Sequence, residues 1–136
     1  MEIVDAWCAY TETLTRGLLL PSETDAPLVV CHWAKRSMTE AFVVSDVLQT
    51  LCLSDESEVE TLSLDEFFEP YVHEDAILNA EEQTRVDRFK VLVDWFRKSL
   101  SQTRVYCIGA VNIDVAIVGQ HSSGEWLGAR THLVET

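Results

Sequence analysis

Five carboxylates, Asp65, Glu66, Glu69, Glu74 and Asp75, fall within eleven residues of the 136-residue chain. Carboxylates at close spacing are the usual means of general acid–base work or of holding a divalent cation. Their context argues for a humbler role. Ser63 and Glu66 have capping-box spacing, so the cluster reads as the solvated side of a short helix and the connection behind it. Cys8, Cys31, Cys52 and Cys107 could supply thiolates, and His32, His73, His121 and His132 could bind a metal. All eight are scattered, without Cys-x-x-Cys or zinc-ligand spacing. The cysteines have apolar neighbours and read as reduced core thiols. No serine or cysteine stands in a nucleophile-elbow context, and the five glycines form neither a Gly-x-Gly-x-x-Gly turn nor a Walker-type loop. These residues point away from an enzyme, and no cofactor is expected.

The charge narrows the partner. Ten Lys and Arg against 23 Asp and Glu give a net charge of −13. Residues 37–84 carry 13 acids and no Lys or Arg, while the flanks, at 3 basic against 5 acidic and 7 against 5, cancel. Direct nucleic-acid binding runs on cations that neutralise phosphates, so neither nucleic acid nor an anionic membrane is an expected partner. A basic protein surface would be steered toward such a face. Glu2 and Asp5 stand where a signal peptide would carry positive charge, which leads to the expectation of a cytoplasmic protein.

The elements that would position these groups follow from periodicity. The length suits a single domain over residues 1–136. Ile3, Trp7, Tyr10 and Leu14 mark one stripe of a helix over residues 2–16, stopped by Gly17. Residues 21–27 contain Pro21 and Pro27 and read as a stiff loop. Residues 28–33 read as a strand, and Ser37 with Glu40 as the cap of a helix to about Leu51. A short strand is expected over 59–62, then a helix from Leu64 to about Phe68, stopped near Pro70. Asn79 and Glu82 cap the longest helix, whose stripe is Val86, Phe89, Val93, Phe96 and Leu100. Residues 105–108, 113–118 and 126–134 read as three consecutive strands. Residues 115–118 are apolar on both parities, which predicts a sheet covered on both faces. The resulting fold class is α+β: a three-layer α/β/α sandwich with a largely antiparallel or mixed sheet. Trp7, Trp33 and Trp95 read as core, whereas Trp126 could face either way.

Several stretches together resemble the nuclease A inhibitor family. They are the run from Gly17-Leu18-Leu19-Leu20 through Ser22-Glu23-Thr24-Asp25-Ala26-Pro27, Leu64-Asp65-Glu66-Phe67-Phe68, the long helix, and residues 105–136 ending Leu133-Val134-Glu135-Thr136. The resemblance spans nearly the whole chain. It implies an α/β/α sandwich that inhibits sugar-non-specific DNA/RNA endonucleases of the ββα-metal type. It further implies that Glu23 meets basic groups of the nuclease and that Thr136 offers oxygen ligands to the nuclease's Mg²⁺, a hard cation suited to oxygen. Ser22, Asp25 and Glu135 flank these two positions and join the candidate partner-binding set. Where the family can present a large aromatic before the long helix, this chain has Ile77, a weaker interface anchor. The rival expectation is an acidic DNA-mimic or interaction module that binds another nucleic-acid-binding protein. A second is a small enzyme or ligand-binding domain using acidic residues.

Overall fold

A computed structural model describes residues 3–20, 25–33, 58–73 and 78–134. Helix α1 spans Ile3–Thr15, and Gly17, at φ +71°, turns the chain out of it, a conformation that costs glycine least. Strand β1 (Leu19–Leu20) pairs antiparallel with β2 (Ala26–Pro27), Leu19 opposite Pro27 and Leu20 opposite Ala26. A stiff loop was the expectation for this stretch. The prolines permit the pairing because a two-residue strand demands few amide donors, and Pro27 contributes only its carbonyl.

Strands β3 (Val29–Trp33), β4 (Val59–Leu62), β5 (Leu100–Ile108), β6 (Asn112–His121) and β7 (Trp126–Val134) form one sheet in the order β3-β7-β6-β5-β4, with every neighbouring pair antiparallel. Helices α2 (Leu64–Val72) and α3 (Ala80–Ser99) precede the β5–β7 meander. Both start as their caps predict. Ser63 and Glu66 exchange reciprocal side chain to backbone bonds of 3.1 Å, and the Asn79 side chain accepts from the Glu82 amide at 2.8 Å.

Two boundaries differ from expectation. Helix α2 continues past Pro70 to Val72. Proline removes one donor, but the extra turn lets Tyr71 reach Phe89, ring centroids 5.3 Å apart, beside the Phe68–Phe89 contact at 6.1 Å. Strand β5 starts at Leu100, directly after α3, rather than at Val105. The Leu100 amide still donates to the Phe96 carbonyl while its own backbone is extended. Its side chain is buried, so the helical stripe identified a core residue on the wrong kind of backbone.

The double parity of β6 is real. Val115 and Ile117 join a core with Trp7, Leu64, Phe68, Phe89, Leu92 and Phe96 from the three described helices. Ala116 and Val118 point the other way, with Trp33, Tyr106, Ile108 and Trp126. Gly128 allows the second face to close. A Cβ there would stand 1.8 Å from the Ile117 carbonyl oxygen, to which the Trp33 indole donates at 3.0 Å. Among the described residues helices cover only the first face, and the helix expected from Ser37 to Leu51 lies outside them. The described fold is therefore a mixed α+β domain with an antiparallel five-stranded sheet and a separate two-stranded one. No helix among the described residues is long and apolar enough to cross a membrane.

Candidate functional site

Of the six candidate contact residues, Asp25 is described. Ser22, Glu23, Ile77, Glu135 and Thr136 lie outside the described residues. Their anchors are nonetheless on view. Residues 21–24 connect the paired ends of β1 and β2, and Glu135 and Thr136 follow the last residue of β7.

These anchors meet at one corner of the sheet. Strand β3 runs antiparallel to β7, with Val29 opposite Arg130. Upstream of Val29 the chain stays beside β7, since the Thr131 hydroxyl donates to the Pro27 carbonyl at 2.8 Å. Residues preceding Pro27 and residues following Thr131 therefore head toward the same end of the sheet. Ala26, Pro27, Val29, Asp114, Arg130, Thr131 and His132 line a shared hollow of about 310 Å³. On its rim His132 Nδ1 lies 3.2 Å from an Asp114 carboxylate oxygen.

The other leg of the hairpin leans on α3. Arg88 donates to the carbonyls of Leu14 at 3.1 Å and Arg16 at 2.6 Å. Asp25, exposed, shares a cavity of about 410 Å³ with Leu19, Thr84, Arg85 and Arg88. Leu18, Leu20, Ala26 and Leu28 are buried and peg the hairpin to the core. Arg88 and Thr131 carried no sequence signal, because each acts on backbone carbonyls more than seventy residues away.

Glu81, in the first turn of α3, lines the same cavity as Asp25, but five other described acids of the middle segment occupy different ground. Glu58 and Glu60 lie at or beside β4, the opposite edge strand, and Asp65, Glu66 and Glu69 on α2 above it; all are exposed. Neighbouring strands are about 4.8 Å apart, so roughly 19 Å of sheet separates β4 from β3.

Burial pushes the Cys8 thiol up, with Glu12 and Asp5 adding to it; burial also raises Cys31, against the pull of Arg130. Both are held in the unreactive thiol form. Among the described residues, no group of three or more His, Cys, Asp or Glu is placed to hold a metal ion.

No curated protein matches the chain. The family model described as nuclease A inhibitor-like protein matches residues 7–136. That span takes in nearly all of the described helices, the whole sheet, the hairpin and the residues after β7, and on it the chain belongs to the nuclease A inhibitor-like family.

Proposed function

We propose that this protein inhibits a sugar-non-specific endonuclease of the ββα-metal type by entering its active site with Glu23 and Thr136. The observation that carries the reading is the shared corner: the β1–β2 hairpin and the end of β7 point the same way, joined by the Thr131–Pro27 bond. Chain geometry limits how far the two groups can stray. Consecutive Cα atoms are about 3.8 Å apart, so Thr136 lies within about 8 Å of Val134, and Glu23 within about 11 Å of both Leu20 and Ala26. A carboxylate for basic active-site groups and oxygen ligands for Mg²⁺ would thus leave the scaffold from adjoining points. Ser22, Asp25 and Glu135 would line the same contact, with Ile77 an apolar contact before α3. The acidic surface speeds encounter with a basic nuclease rather than making the plug. The protein performs no reaction of its own. We further propose that a third layer covers the second face, whose Ala116, Val118 and Ile108 are buried, completing an α/β/α sandwich.

The acidic edge supports a second reading, a DNA mimic acting through β4 and α2. Because β3 and β4 are opposite edges of the sheet, one inhibition assay against a ββα-metal endonuclease tells a contact at the corner from one on the acidic edge. Glu23→Ala, or a chain extended beyond Thr136, should weaken inhibition by about 2–5 kcal/mol, the cost of stripping one partner from a desolvated charge pair. Glu60→Gln with Glu69→Gln should change mainly the association rate and its salt dependence. Full inhibition by the extended chain, with loss in the Glu60/Glu69 variant, would put the contact on the acidic edge instead, and no inhibition by the unaltered chain would favour the mimic of another nucleic-acid-binding protein's ligand.

A further inference from the structure

We propose that Arg88 and Thr131 are positioning residues that clamp the two legs of the β1–β2 hairpin, one through the end of α1 and the other through Pro27, so that β1 and β2 hold one arrangement before any partner arrives. The inference rests on the role given to Glu23 above.

The hairpin cannot hold itself. Among the described residues two pairs join its strands, and an isolated two-stranded ribbon is marginal even when longer. Its outgoing leg starts where α1 leaves carbonyls without intrahelical partners. Helix α1 has no basic residue in its last turn, and the missing cation comes from another helix. The Arg88 guanidinium reaches from α3 to the Leu14 and Arg16 carbonyls, on either side of the point where Thr15 ends the helix. A cation there also opposes the negative end of the helix dipole. The turn that follows is set by the Leu18 amide donating to the Thr15 carbonyl at 2.9 Å, so fixing these carbonyls fixes the direction in which β1 departs.

The return leg is held by a different chemistry. Thr131 is 8% exposed, and its hydroxyl satisfies the Pro27 carbonyl across 104 residues of sequence. Removing that hydroxyl takes away the one side-chain tie that this part-buried bond makes between the return leg and β7. One clamp therefore sits on each side of residues 21–24. Arg88 and Asp25 also line one cavity, which gives the segment room to relax if the clamp is released.

Hydrogen exchange of the whole protein tests the clamp without a nuclease. In Arg88→Ala and Thr131→Val, exchange across residues 18–28 should accelerate about tenfold or more while residues 113–118 change less than about twofold, the mark of local rather than global opening. Thr131→Ser, which keeps the hydroxyl, should restore protection. If Arg88→Ala does not fold, Arg88→Lys carries the test, since an ammonium cannot reproduce the planar fork. Unchanged protection across 18–28 in folded variants, or acceleration of both segments together, would overturn the proposal. Inhibition measured on the same variants should fall about tenfold through lost preorganisation. A loosened hairpin with undiminished inhibition would count against Glu23 as a contact and leave the clamp standing.

Discussion

The scaffold of α3 and the β5–β7 meander and the corner carrying the hairpin are secured by different means. In the scaffold, Phe89, Leu92, Phe96, Val115, Ile117 and Leu127 fill one continuous core. Polar cross-links there come in pairs: the Trp7 indole donates to Ser99 and the Trp95 indole to Thr11, both at 2.8 Å. The corner is pegged by a few apolar side chains and aimed by Arg88 and Thr131. Dispersed apolar packing resists loss of any one contact's direction, whereas aim that depends on two hydrogen-bonding side chains can be lost one residue at a time. Stability and recognition should therefore be separable by mutation.

The strongest challenge to that separation is Phe96→Ala, which empties a fully buried site and should cost about 3–5 kcal/mol by chemical denaturation. Inhibition per folded molecule should hold; a loss beyond the unfolded fraction would dissolve the distinction. A gentler version is Ser63→Ala, which breaks the capping box of α2 and should cost about 1 kcal/mol, with the salt dependence of inhibition unaltered. The smallest effect is alkaline. Burial raises Cys31 above the ordinary thiol value of 9.0, so the native state favours the neutral form. The contribution of Cys31 to stability should be fully present below about pH 9 and be lost as pH rises beyond it. In Cys31→Ala that decline should flatten in pH-dependent denaturation, and an unchanged slope would exclude Cys31 as its source.

Much of the scaffold was legible because each local signal agreed with the global one. Asn79, the Val86 to Phe96 stripe and the basic Arg97 and Lys98 all specify α3, and residues 115–118 announced a strand with two buried faces. Misreadings occurred where tertiary packing overrode local rules. Pro70 should stop a helix, but Tyr71 gains an aromatic neighbour by continuing. Leu100 keeps helical spacing yet belongs to a strand. At the corner, Ser22, Glu23 and Asp25 were legible only as candidates, through the family resemblance, and of the three Asp25 alone is among the described residues. What aims the corner was not legible, because a bond such as Thr131 to Pro27 exists only once distant segments have been brought together.

That distance in sequence orders events during synthesis. The β5–β7 meander is made from neighbours, each strand pairing with the next, but among the described residues the partner of Val29–Trp33 is completed only when residues 126–130 have been made. The N-terminal hairpin must then wait for Thr131. On the reading proposed above, a nascent chain still inside the ribosome would be a poor ligand for a nuclease, since this corner matures among the last parts of the molecule to do so.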